Sequence, residues 1–249
     1  MTKKIIGIVG GVGPYAGLDL NQKIFDNTIT YGHDQDHLEV YLLTCANLIG
    51  DRTEYLLNPS LPNPAYGLFH VIQKLAAIDA QVIGISCNSA HAPAIFTPLQ
   101  TLIAQAQLPV KLLHIVEETR QYLTLNYPSV KQVGLLATCG TYLANSYPLT
   151  LINHQVILPD ESAQQRVHAA IYHKNYGIKA HSNPIQQQAI DELTTVAQEL
   201  VAQGAQALIM GCTEIPLALK SEYFPVPLID PTVVLARALI REAAPEQLL

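Results

Sequence analysis

Short apolar runs alternate with longer stretches of helical periodicity along most of the chain. Ile5-Ile6-Gly7-Ile8-Val9 is continuously apolar, the pattern of a parallel strand buried on both faces. It runs into Gly10-Gly11-Val12-Gly13-Pro14, a turn able to approach a ligand closely, with Pro14 at a first helical position. The pattern predicts a helix from Tyr15 to about Asn27, a strand over Leu38 to Leu43 and a helix from Ala65 to Ile78. Strands over Ala80 to Ser86 and Pro109 to Leu113 follow, then a helix from Ile115 to Leu125. After Tyr127-Pro128-Ser129 the scheme starts again. Strands are predicted over Lys131 to Thr138, Gln155 to Leu158 and Ala205 to Met210. Helices are predicted from Glu161 to Tyr172 and from Asn183-Pro184 to Ala202, where Asn183 reads as the cap and Pro184 as the first helical residue. Leu228-Ile229-Asp230-Pro231 begins a last helix, Thr232 to Glu242.

This alternation implies an α/β fold with parallel-sheet cores. Gly7 precedes Cys87, and Gly134 precedes Cys212, by nearly equal intervals, which points to a duplicated unit. The expected division is a first lobe of residues 1–114 plus 226–249, carrying Cys87, and a second of residues 115–225, carrying Cys212.

Two stretches look like copies of one device. Ile83-Gly84-Ile85-Ser86-Cys87-Asn88-Ser89-Ala90-His91 and Ala207-Leu208-Ile209-Met210-Gly211-Cys212-Thr213-Glu214 each run from an apolar strand into a cysteine and then a small polar residue. A cysteine there stands at the carboxyl end of a strand, where open α/β sheets bind ligands. The small polar residue after it reads as the cap of a following helix, whose free N–H groups and dipole favour a thiolate. One such cysteine is a candidate nucleophile, and one in each half suggests a pair facing a shared substrate. Arg52, in the loop after the second strand, reads either as a solvated charge or as a carboxylate clamp. His91, four residues past Cys87, either tunes the thiol or packs.

Composition narrows the classes. With 249 residues, 49% hydrophobic and 14% charged, the chain buries a substantial core. A net charge of −6 disfavours nucleic-acid and anionic-membrane surfaces. No apolar run reaches the roughly 18 residues of a membrane helix, and glycines interrupt the amino-terminal run that imitates a signal peptide. A cytoplasmic protein with reduced cysteines is expected. Cysteines at 45, 87, 139 and 212 form no close pair, and His168 and His173 are not at metal-ligand spacing, so no metal site is expected. Cys45 and Cys139 read as small buried hydrophobes. Gly11-x-Gly13-x-x-Ala16 formally matches a dinucleotide fingerprint, but the next strand ends in Thr44-Cys45-Ala46-Asn47, without the acidic residue that would bind a ribose.

Taken together and in order, Gly10-Gly11-Val12-Gly13-Pro14, Asp51-Arg52-Thr53, Cys87-Asn88-Ser89-Ala90-His91, Gly134-Leu135-Leu136-Ala137-Thr138 and Gly211-Cys212-Thr213-Glu214 resemble the aspartate/glutamate racemase family over nearly the whole chain, on the aspartate-racemase branch. The resemblance implies two pseudo-symmetric Rossmann-like lobes with the active site in the cleft between them, no cofactor, a homodimer and an amino-acid substrate, dicarboxylic by preference. It implies Cys87 and Cys212 as catalytic thiols. Gly11, Val12, Gly13, Arg52, Asn88, Ser89, Thr138, Lys179 and Thr213 would bind substrate, Arg52 and Lys179 through a carboxylate, with His91 and Glu214 in support. Val12, Tyr15, Gly50, Ser86 and Ser89 depart from the usual residues, and Val12 and Tyr15 bear on side-chain preference.

Such residues suit racemisation of aspartate or glutamate by two thiols, one removing the Cα proton as thiolate and the other returning a proton to the opposite face. A cysteine pKa of about 8.5 requires that one thiol be lowered by its surroundings. The alternatives are a maleate-type isomerase, a decarboxylase, a non-catalytic amino-acid-binding protein and a dinucleotide-dependent oxidoreductase.

Overall fold

A computed structural model describes residues 3–249. The first half comprises β1 (Ile6–Gly10), α1 (Pro14–Asp26), β2 (Val40–Thr44), α2 (Arg52–Leu57), α3 (Ala65–Ala77), β3 (Val82–Ile85), α4 (Pro93–Gln105) and β4 (Lys111–Leu112). α5 (Ile115–Asn126) leads into β5 (Gln132–Leu136), α6 (Cys139–Ala144), α7 (Ser146–Thr150), β6 (Gln155–Ile157), α8 (Glu161–Tyr172), α9 (Gln187–Ala202), β7 (Ala207–Met210), β8 (Leu228–Ile229) and α10 (Pro231–Ala243). All pairings are parallel, in the orders β2-β1-β3-β4 and β6-β5-β7-β8. The two sheets therefore repeat one topology. Their central strands β1, β3 and β7 are buried at every residue, as their unbroken apolar runs require.

Differences from the expected elements have local causes. β4 is shorter than its apolar run because Pro109 has no N–H and the Val110 N–H turns back to Leu108 O at 2.8 Å. The helix expected to open at Asn183-Pro184 begins at Gln187 instead, with Gln186 as its cap. The backbone of 177–182 is occupied in a turn, with Ala180 N and His181 N both donating to Gly177 O and the Ser182 hydroxyl to Ile178 O. No α-helix follows either strand-end cysteine directly. Cys87 and Asn88 lead into a single 3-10 turn, Ser89–His91, and Glu214 into another, Ile215–Leu217.

Leu228 and Ile229 pair with β7, so they belong to the second sheet, and the return towards the first half starts at Asp230 rather than at 226. Asp230 caps α10 by accepting from Thr232 N and Val233 N. Val234, Leu235, Ala238 and Leu239 of α10 then join one core with Ile6, Ile8, Leu20 and Ile24 of the first half and Val133, Leu135 and Ile209 of the second. Leu239 rests on the bare backbone of Gly84 in β3. Each buried leucine here contributes about 1.5–3 kcal/mol. Among the described residues, no helix is long and apolar enough to cross a membrane.

Candidate active site

The carboxyl ends of both sheets meet at one narrow cleft lined by Val12, Arg52, Cys87, Asn88, Ser89, Thr138, Gly211, Cys212, Thr213 and Glu214, with Thr141, Tyr172 and Lys179 completing it. Its cavity is about 10 Å³, room for about one water molecule. A wider chamber of about 500 Å³ adjoins it, sharing Arg52, Lys179 and Glu214, with Gly11 and Gly13 on its wall.

The first half contributes a positive side. Asp51 caps α2 through Glu54 N at 2.9 Å, which sets Arg52 at the first helical position. Its guanidinium is buried and donates to Val12 O at 2.8 Å and Gly50 O at 3.1 Å, while Nε has no partner. Burial works against its charge, but the adjacent Cys87 sulfur and Asp51 carboxylate raise its pKa, so Arg52 is a fixed cation. Cys87 Sγ lies 3.3 Å from Ser89 Oγ. Asn88 Oδ1 accepts from the Tyr147 hydroxyl at 2.6 Å, leaving the buried Asn88 Nδ2 without a partner. His91 does not reach the thiol. Its Nδ1 is 2.8 Å from Cys87 O and its Nε2 3.3 Å from Leu113 O. Full burial, with His114 alongside, lowers its pKa to about 3, so the ring is neutral and acts on the Cys87 backbone.

The second half contributes a carboxylate. Cys212 Sγ donates to Glu214 Oε2 at 2.9 Å, and Glu214 Oε1 accepts from Lys179 Nζ at 2.7 Å. Burial raises Glu214, but Lys179 outweighs it and the carboxylate is held ionised, below its ordinary range. Lys179 is raised in turn by Glu214 against its own burial. Cys212 is pushed well above the usual thiol range, first by burial and then by Glu214. It is a thiol at neutral pH, contrary to the lowering expected from a helix end. That expectation fails here because the strand end is followed by a carboxylate and a 3-10 turn. Lys179 owes its place to a chain reversal in which Ile178 N donates to Ala170 O and Lys179 N to Ile171 O, setting the ammonium 5.2 Å above the Tyr172 ring. Gly13 is obligatory at this point: with φ at 122°, a Cβ there would lie 2.3 Å from Glu214 Oε1.

Hydrogen bonds between the halves close the cleft. Thr213 Oγ1 donates to Ser86 O at 3.1 Å, Thr53 and Thr138 share a hydroxyl contact of 3.1 Å, and the Tyr172 hydroxyl donates to Asp51 Oδ2 at 3.0 Å. Thr138 also meets the Thr141 hydroxyl at 3.2 Å. Gly140 lets the halves touch, since a Cβ on it would lie 2.8 Å from Thr53 Cα. Sequence reasoning missed Tyr147, Tyr172, Thr141 and Gly140. Thr53 alone had a signal, beside Arg52 in its motif. Among the described residues, no group of three or more His, Cys, Asp or Glu side chains is arranged to hold a metal ion.

Two matched parallel-sheet halves closing on one cleft form the two-lobed α/β architecture of the racemase fold. The chain belongs to the Asp/Glu/Hydantoin racemase family, whose model matches residues 9–239. Racemases are isomerases, and this is an enzyme of that kind. It is 28% identical over 254 aligned positions to the broad specificity amino-acid racemase RacX of Bacillus subtilis, spanning 95% of this chain and 96% of that one. It superposes on the Picrophilus torridus aspartate racemase with a TM-score of 0.81 at 27% identity, covering 96% of this chain and 94% of the other. An aspartate racemase homologue from Pyrococcus horikoshii shares the fold, with a TM-score of 0.71 at 22% identity over 98% of this chain and all of that one (100%).

Proposed function

We propose that the enzyme inverts the Cα centre of a free α-amino acid by two thiols acting on opposite faces, with aspartate and glutamate as the first substrates to try. The observation that carries this reading is that Cys87 and Cys212, at equivalent strand ends of the repeated halves, line one buried cleft. The thiolate of Cys87 takes the Cα proton, and the bond's electron pair passes into the carboxylate as an enediolate. Cys212 delivers its S–H proton to the other face and becomes the thiolate, and exchange with solvent resets the pair. Arg52 and the partnerless Asn88 amide are donors available to the carboxylate as negative charge builds on it. Glu214 holds the Cys212 hydrogen in place before transfer. A cleft of about 10 Å³ is too small for an amino acid, so the halves part to admit one. The same reading takes the enzyme as a cytoplasmic homodimer, consistent with four free cysteines and checked by sedimentation.

The test is proton NMR with chiral chromatography of L- and D-amino acids incubated in D₂O without added cofactor. Deuterium at Cα together with the opposite enantiomer is the expected result. Loss of CO₂ or double-bond isomerisation without Cα inversion would replace this reading with a decarboxylase or a maleate-type isomerase.

A further inference from the structure

Asn88 sits where an asparagine ordinarily caps a turn, yet its side chain makes no capping bond to the 3-10 turn that follows. It is drawn elsewhere. Tyr147, from α7 of the second half, donates its hydroxyl to Asn88 Oδ1 at 2.6 Å. The chain delivers that phenol by a sharp reversal. Asn145, between α6 and α7, has φ at 53° and ψ at 26°, a left-handed conformation that asparagine tolerates. Tyr147 is then wholly buried in the apolar cluster that the halves share. Burial pushes the phenol's pKa up, so it keeps its proton and stays a donor. An amide carries a donor on one side and an acceptor on the other, and its two orientations have the same shape. Which one Asn88 adopts decides whether it attracts or repels a carboxylate. With Oδ1 bonded to Tyr147, the end left without a partner is the buried Nδ2, on a residue that lines the cleft. Turned over, the amide would set an oxygen against the substrate's carboxylate.

Resting on the racemase reading, we infer that Tyr147 is a positioning residue for the reaction: its hydroxyl, brought from the second half, fixes the Asn88 amide of the first so that Nδ2 faces the substrate's carboxylate. Tyr147 itself touches no reacting atom. Its effect grows along the reaction, because the enediolate carries more charge on those oxygens than the substrate does. The loss on removing the hydroxyl therefore falls mainly on kcat.

The experiment is a double-mutant cycle on the full chain. Wild type, Tyr147→Phe, Asn88→Ala and the double variant are assayed for Cα inversion of aspartate, glutamate and the other free amino acids. The comparison uses whichever the wild type turns over fastest, at a temperature where all four proteins are folded by circular dichroism. Tyr147→Phe removes one oxygen and keeps the buried ring. It is expected to lower kcat by about tenfold with little change in KM, and to leave the pH profile in place. Once Asn88 is alanine, the same change should have almost no further effect. An unchanged kcat in Tyr147→Phe, the same tenfold loss in the Asn88→Ala background, or a displaced pH profile would overturn the inference and leave racemisation standing. No inversion of any amino acid by the wild type would overturn the racemase reading, and the inference with it.

Discussion

The two halves repeat a strand order and set a cysteine just past the third strand of each, yet their thiols meet opposite charges. Cys87 stands beside the buried Arg52 cation with a serine hydroxyl 3.3 Å away, whereas Cys212 donates to a carboxylate at 2.9 Å. Their carbonyls differ too. Cys87 O is held by the His91 ring at 2.8 Å, and Cys212 O by the backbone of Ile215 at 3.0 Å. The scaffold thus fixes where each sulfur lies, while residues outside the repeated strands, Arg52 for Cys87 and Glu214 for Cys212, set the charge it meets. For a racemase this asymmetry has a strict bound. Enantiomers have equal free energy, so kcat/KM must be the same in both directions. Unequal thiols then show only as kcat and KM that differ between directions in the same ratio.

The largest effects separate the sulfurs. Cys87→Ala and Cys212→Ala should each lower racemisation by about 10³-fold while still washing out the Cα proton of one enantiomer in D₂O, and of opposite enantiomers in the two variants. Full inversion by either would end the two-thiol account. Next is His91, whose counterpart in the second half is Pro216. Its pKa is about 3 in the fold against an ordinary 6.5, so the native state excludes a proton that the unfolded chain binds. Its contribution is whole above pH 6.5 and drains as pH falls towards 3, by up to ~1.4 kcal/mol per unit. Urea unfolding between pH 7 and pH 4 (two convenient limits within about three units) should show a steeper slope in the wild type than in His91→Gln. The remainder is carried by other groups, among them His114, His154 and His168, which burial also holds down.

Glu214→Gln makes the two thiol environments more alike. Burial still raises Cys212, but loss of the neighbouring anion lowers its pKa, and the alkaline limb of the rate profile should move down by about one pH unit. An unmoved limb would mean that Cys212 is not the titrating acid. Tyr147→Phe is the mildest change. It leaves Asn88 Oδ1 without its donor and should cost about 1 kcal/mol in chemical denaturation, on the Cys87 side alone.

What was legible in the sequence follows from how locally it is encoded. β1, β3, β5 and β7 announce themselves because strands buried in parallel sheets are continuous apolar runs. Cys87, Cys212, Asn88, Ser89 and Thr213 lie in short motifs at strand ends and Arg52 in one at a helix start, and the structure brings them to one cleft. The turns after the cysteines were misread as helix starts, since a small polar residue after a strand suits either. The charge logic was hidden altogether. Lys179 and Glu214 are 35 residues apart and Tyr147 and Asn88 are 59 apart, and no local pattern marks partners across such distances. The same holds for the thiol shift at Cys212, which comes from burial and a carboxylate rather than from a helix dipole.

The return of α10 onto the first half affects how the molecule comes into being. Lys4 N donates to Ala243 O, Ile29 N donates to Gln247 O, and Leu239 seats on Gly84, so strands made early are covered by a helix made late. During synthesis the first half emerges with an apolar face still open, and it stays so until the ribosome has delivered the segment beyond Asp230. The half that leads the chain is the last to be sealed, and a chaperone acting on the nascent protein would find its target there.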